Sequence, residues 1–210
     1  DGLYSGEPRK HQVAVPLSEA VRRRGLTRDL FERLLDARER DLETDPPATL
    51  EDLEGYAAET SGTLVELACE TLDARDEASR TAARHAGIAH ALVGLARAVP
   101  FHATQRRMML PGNLAWTHGL DPHDLFELRQ PEEVRPVVKE MAARAEEHLQ
   151  QARAAKPPRA AVPALLPATL TRRYLRLLAA HDHDVFAPKV QTPPPGRPWR
   201  LLWASAWGRF

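Results

Sequence analysis

An all-α fold is what the sequence predicts, and three observations predict it. Several long windows carry apolar residues at three- and four-residue steps, as one face of a helix requires. Few windows alternate with period two, so strands find no support. Prolines and glycines fall between the helical windows and punctuate them. At 210 residues and 43% hydrophobic content the chain can bury one substantial core, and a single domain over 1–210 is expected.

The elements follow in order. Val15, Leu17 and Val21 begin a first helix that Gly25 ends. Thr27 takes an N-cap position before Leu30, Phe31, Leu34, Leu35 and Leu42, and Pro46-Pro47 stop this second helix. Thr49 with Asp52 reads as a capping box opening a third, through Leu53, Tyr56, Thr60, Leu64, Leu67, Cys69 and Leu72. Residues 75–98 form a fourth that is Ala-rich and weakly polar on every side, the pattern of a central helix. Short helices are expected over 112–118 and 121–129, the second capped by Asp121 with Pro122 at its first position. Over 131–155, Val134, Val137, Val138, Met141, Ala145, Leu149 and Ala152 face one way and charged residues the other. A Pro-rich joint at 157–163 leads to a helix over 164–180. A second joint at 192–198 precedes a short C-terminal helix from Trp199.

Composition excludes some partners. Lys plus Arg equals Asp plus Glu, 29 each, so no overall field attracts nucleic acid. No apolar run approaches the length of a membrane span. Cys69 is alone in an apolar pattern and reads as a buried structural thiol. The chain begins at Asp1 without a methionine and shows no signal or transit peptide, so a removed leader or a fragment is expected.

One window departs from this balance. Between Glu77 and Asp121 there is no Asp or Glu, while Arg80, Arg84, Arg97, Arg106 and Arg107 lie inside, with His85, His90, His102 and His118. Two readings stand. Cations without counter-charges can build an anion pocket. Alternatively, a buried Ala-rich helix simply avoids carboxylates and its arginines snorkel from the ends.

Within that window, 87-GIAHALVGLARAVPFHATQRRMMLP-111 resembles the second signature segment of the squalene and phytoene synthase family. The family's approximate pattern G-x-A-x-Q-x-x-N-x-x-R-D-x-x-x-D, closed by G-R-x-Y-L-P, is matched at Gly87, Ala89, Arg97, Arg107, Leu110 and Pro111. The resemblance implies an isoprenoid-synthase-type helical bundle, lacking its first N-terminal helices. Members condense prenyl diphosphates head to head with magnesium. Here the family's Gln falls on Ala91, its Asn on Gly94, and its two aspartates on Ala98 and His102. Two carboxylates four residues apart share one helix face and together hold the Mg²⁺ that neutralises a diphosphate leaving group. Arginines do not replace that cluster. The other four-spaced acidic pairs, Glu32 with Asp36, Glu39 with Glu43 and Glu66 with Glu70, read as solvated faces. The family's other aspartate-rich motif normally precedes the region matching 3-LYSGEP-8, where this sequence starts.

The combination of Arg97-Ala98-Val99-Pro100-Phe101-His102 with Arg106-Arg107 and Pro111 is similar to a non-catalytic branch of the family with mitochondrial and bacterial members, for which the resemblance implies a role in biogenesis of respiratory complex I. Similar pieces recur in order at 35-LDARERDL-42, 118-HGLDPHDLF-126, 146-EEHLQQAR-153, 184-DVFAPKVQ-191 and 203-WASAWGRF-210. The resemblance implies a pseudo-enzyme with no catalytic residues, no metal and no cofactor. Its vestigial, anion-binding pocket wall would be Gly87, Ala89, Arg97, Ala98, His102, Arg106 and Arg107. Implied partners are complex I subunits or other assembly factors, with the inner-membrane surface and an isoprenoid or lipid ligand as further candidates. The implied location is the matrix side of the mitochondrial inner membrane, or else a bacterial cytoplasm. A prenyl-diphosphate-binding protein or prenyltransferase of the same family is the alternative.

Three further features carry two readings each. His102 can hold an anion where the family has Asp, or be a hydrogen-bonded pocket histidine. The run 181-HDHD-184 follows a helix directly and reads as a capped end in preference to a metal site. Trp199, Trp203 and Trp207 recur every four residues among arginines, a stripe for a membrane or partner, though closure of the chain's own bundle is preferred. Met108, Met109 and Trp116 are expected in the core.

Overall fold

The computed structural model describes residues 2–5, 10–193, 195–208 and 210, and among these there is no strand. Part of 3-LYSGEP-8, namely Gly6, Glu7 and Pro8, lies outside the described residues, as do Pro194 of the second joint and Arg209. Helices α1 (Ala14–Arg24) and α2 (Arg28–Glu39) form an N-terminal pair. Gly25 between them adopts φ +59°, the left-handed conformation that ends a helix cheaply only at glycine. Next come α3 (Leu50–Ala57), a π-helical turn (Ala58–Gly62) and α4 (Thr63–Thr71), which run on as one rod. The capping box at Thr49 and Asp52 is formed as expected. Asp76, accepting from the Ser79 amide, caps α5 (Glu77–Arg97).

Helix α5 is the axis of the molecule, packed against α4, the π turn, α9 (Val134–Ala154) and α11 (Pro167–Ala180). Between α5 and α9 run α6 (Val99–Thr104), α7 (Gly112–Thr117) and α8 (Pro122–Phe126). Short α10 (Val162–Leu165) precedes α11, and α12 (Pro188–Gln191) and α13 (Arg197–Trp207) complete the chain. One core cluster extends from Leu50 to Val190, and a smaller one joins Val21, Leu26, Leu30 and Leu67 under the N-terminal pair.

Small residues set the helix spacing. Ala82, Ala83, Ala86 and Ala89 of α5 are buried, as are Ala142, Ala145 and Ala152 of α9, so the backbones can approach closely. Approach is tightest at Gly87, where a Cβ would stand 2.5 Å from the Cα of Gly62 and 2.6 Å from the Ser61 carbonyl oxygen. The π turn brings Gly62 to that crossing, and Thr60 holds the turn by donating from its hydroxyl to the Tyr56 carbonyl at 2.7 Å.

Several expectations need correction. Trp116 is 84% exposed, while Met108 and Met109 do pack partly against the core. Leu35 lies on the far half of α2 from buried Leu30, and Leu42 falls in a 3₁₀ turn beyond the helix end, so both meet solvent. Glu66 and Glu70 are not on a wet face. Burial raises the Glu66 carboxyl. Glu70 accepts from the Thr27 amide and hydroxyl and pairs with Arg75 at 3.0 Å, so the start of α2 is held by a carboxylate from α4. The Thr27 side chain itself caps nothing.

Substituting Gly87→Ala would force the α5 backbone off the π turn. The expected cost is about 2–3 kcal/mol, read as a lower urea midpoint, whereas Gly94→Ala, with open space at its Cβ, leaves the midpoint unchanged or raised.

Candidate functional site

The residues singled out from the sequence divide among several places. Gly87 and Ala89 are buried in the helix crossings just described. Arg97, the last residue of α5, lies over the ring of Tyr174 with its Cζ 3.6 Å from the centroid. Its Nε donates to the Val190 carbonyl at 3.1 Å, and Gln191 Nε2 donates back to the Arg97 carbonyl at 2.9 Å. Arg97 thus fastens α12 to the end of α5, and burial lowers its pKa. Ala98 is half-buried at the α5–α6 junction.

His102 and Arg107 stay together. The Arg107 amide donates to the His102 carbonyl at 3.0 Å. The Arg107 guanidinium reaches the carbonyls of Asp41 at 3.0 Å and Glu43 at 3.3 Å. Buried His102 Nδ1 has no hydrogen-bond partner in the chain. Burial, and then the charge of Arg107, lowers the His102 pKa, so this imidazole favours its neutral form. Arg106 adopts φ +51° and turns outward to pair with Glu127 at 3.0 Å.

Beside Arg107 a cleft of about 260 Å³ opens between the end of α2 and α3, lined in part by Arg40, Asp41, Asp52, Tyr56 and Met109. Tyr56 donates to Asp41 at 2.7 Å, and Arg38 donates to both Asp41 and Tyr56. Burial alone would raise the Asp41 carboxyl, but the hydrogen bonds from Tyr56 and Arg38, with the Arg38 and Arg107 charges, hold it below the usual range. Sequence reading missed this cleft. Its one legible trace is Asp41, the penultimate residue of 35-LDARERDL-42.

A second polar group joins three helices. His148 of α9 stands between Glu54 of α3, 2.6 Å from its Nε2, and His85 of α5, whose Nδ1 is 2.8 Å from His148 Nδ1. Arg144 also pairs with Glu54. With the Glu54 carboxylate accepting from Nε2–H, a neutral His148 offers Nδ1 as acceptor and His85 donates. Next along α5, His90 Nδ1 lies 3.0 Å from the Thr171 hydroxyl, which donates to the Pro167 carbonyl, so His90 donates there.

The remaining predicted residues lie at the surface or near it. Asp182 and Asp184 approach Arg135 at 3.5 and 3.7 Å, and Asp184 accepts from the Phe186 amide. Among the described residues no group of three or more His, Cys, Asp or Glu side chains could hold a metal ion. Trp199, Trp203 and Trp207 are 71%, 63% and 66% exposed, so the preference for bundle closure does not hold for these rings.

Comparison with known proteins places these details. The squalene/phytoene synthase family model matches residues 1–200. Bovine NADH dehydrogenase (ubiquinone) complex I, assembly factor 6 is 35% identical over 193 residues, covering 91% of this chain and 58% of that protein. The human protein of that name is 32% identical with the same coverage, and its Dictyostelium discoideum homolog is 26% identical over 199 residues, covering 92% and 56%. The chain therefore spans less than two thirds of these relatives' length. A dehydrosqualene synthase structure superposes with a TM-score of 0.79 at 17% identity, covering 98% of this chain and 74% of that one. Squalene synthase HpnC from Alicyclobacillus acidocaldarius gives 0.77 at 17% identity, covering 87% and 70%. These likenesses show the isoprenoid-synthase-type helical fold.

Burial, ahead of neighbouring charge, lowers the pKa values of His85, His90 and His102 from the ordinary 6.5. The unfolded chain therefore binds these protons more readily than the native one. Their stabilisation is complete above about pH 6.5 and lost as pH falls below it toward the depressed native values. The urea midpoint is expected to drop between pH 7.5 and pH 5, and the drop shrinks in His85→Gln.

Proposed function

Because the chain belongs to the squalene/phytoene synthase family, we propose that it uses the family's helical bundle as a binding scaffold in the biogenesis of respiratory complex I, without catalytic turnover. The observation that carries this reading is the 32–35% identity, over nine tenths of the chain, to mammalian proteins named complex I assembly factor 6. Complex I subunits or other assembly factors are then its partners. The inner-membrane surface where they are inserted is its place of work, on the matrix side in a mitochondrion or the cytoplasmic side in a bacterium. Among the described residues no helix is long and apolar enough to cross a membrane, which suits attachment at that surface.

The site geometry supports binding over turnover. Magnesium takes hard oxygen ligands in near-octahedral array. At the two positions where the resemblance would put the second aspartate pair, this chain offers the methyl of Ala98 and an imidazole held toward neutrality beside Arg107. That donor set does not fit the ion. Arg97 and Arg107, which would face a diphosphate, instead donate to backbone carbonyls. An orphaned His102 Nδ1 leaves one polar group for a ligand.

Two measurements on the full-length protein decide the matter. Deleting its gene in the source organism is expected to reduce assembled complex I, seen on native gels, and a plasmid copy restores it. Calorimetry with farnesyl diphosphate is expected to show no magnesium-dependent binding; magnesium-dependent release of pyrophosphate would overturn the scaffold reading in favour of a prenyltransferase.

A further inference from the structure

The acid-free window, with five arginines, does not carry the largest local excess of positive charge. Residues 148–210 contain ten arginines and lysines against only Asp182 and Asp184. The fold gathers part of this charge in one place. Arg172, Arg173 and Arg176 of α11 and Arg200 of α13 line a cleft of about 510 Å³ with Thr169, Trp199 and Trp203. Among the described residues none of these four arginines makes an ion pair or a side-chain hydrogen bond. Two buried polar atoms of the cleft residues, Arg173 Nε and Thr169 Oγ1, have no hydrogen-bond partner. Like charges gathered without acceptors call for an external anion.

The tryptophans say what kind. At about 100° per residue, Leu201, Ala204 and Gly208 share the half-buried side of α13, and Trp199 lies opposite, with Trp203 and Trp207 within about 80° of it. The rings of Trp203 and Trp207 stack at 5.9 Å, and Leu202 extends the same exposed side. The helix end is anchored by two guanidiniums: Arg159 donates to the Ala206 carbonyl in its last turn at 2.8 Å, and Arg153 to the Phe210 carbonyl just beyond it at 3.2 Å. An anchored helix that aims three indoles outward beside four unpaired guanidiniums matches the two layers of a membrane interface. Phosphates lie at the depth of the arginines, and indoles enter the boundary below the headgroups.

We infer that the cleft between α11 and α13 docks the protein on anionic phospholipid, with Arg172, Arg173, Arg176 and Arg200 taking headgroup phosphate and Trp199, Trp203 and Trp207 seated in the interface. The inference shares only the membrane surface with the function proposed above, and its test needs no complex I.

The test is flotation of the full-length protein with phosphatidylcholine vesicles, with and without phosphatidylglycerol, together with quenching of tryptophan fluorescence by brominated lipid. Binding is expected only to the anionic vesicles and should weaken as salt rises. Arg172→Gln/Arg176→Gln/Arg200→Gln lowers the partition coefficient by about a hundredfold, at roughly fivefold per charge removed. Trp199→Ala/Trp203→Ala/Trp207→Ala removes the quenching although Trp116 remains. Both variants change exposed residues, and circular dichroism checks that they fold. Equal binding to neutral vesicles, or binding that the arginine variant leaves intact, overturns the proposal. So does failure to bind either vesicle, which points to an acidic protein surface. Thermal stabilisation by inorganic phosphate without vesicle binding overturns it in favour of a soluble ligand.

Discussion

The crossing of α5 over the π turn at Gly87 and Gly62 is the contact on which the other helices depend. Two backbones meet there without side chains between them, so α5 sits deep enough for its remaining faces to be covered by α9 and α11. A long, Ala-rich helix gains little from each buried methyl. It is stabilised by the number of partners it has, and close spacing is what lets several helices surround it. Polar groups on it must then be satisfied across those same short distances, which is how His85 comes to face His148 and His90 to face Thr171.

Sequence periodicity made most of the frame legible, because its signals are local. Gly25, the Thr49–Asp52 box, and the apolar face of 134–154 each act within one or two turns. The π turn left no such trace: Thr60 and Gly62 read as ordinary helix residues until the crossing with α5 explains them. Exposed Trp116 and half-buried Glu70 depart from the sequence pattern for a related reason. Residue type foretells burial only on average, whereas Glu70 is drawn inward by Thr27 and Arg75, distant in sequence. The candidate site was legible as a set of residues but not as an arrangement. Nothing in the local sequence shows that Arg97 will hold carbonyls 93 and 94 residues away, or that Arg107 will reach back to Asp41 and Glu43.

Those two arginines show how a cationic segment persists without carboxylates. A guanidinium needs acceptors in a fixed planar array, and backbone carbonyls at chain turns supply them with partial charge. Arg97 closes the end of α5 against α12, and Arg107 closes the strap after α2. Each cation therefore has a structural use whether or not an anion is present. On the scaffold reading, this is what would keep a pocket wall in place once metal chemistry no longer holds it.

The C-terminal arginines differ in kind. Arg153 and Arg159 are answered by carbonyls just beyond and within the last turn of α13, as Arg97 and Arg107 are by carbonyls elsewhere. Arg172, Arg173, Arg176 and Arg200 are not, because α11 presents its apolar residues to the core and the neighbouring α13 contains no acid and turns its indoles outward. Composition shows both stretches as basic, and the absence of any acid draws attention first to the compact run at 95–111. What separates them is whether the fold provides an internal acceptor. Where it does, a basic stretch is architecture; where it leaves several guanidiniums together and unanswered beside exposed aromatic rings, the acceptor lies outside the chain.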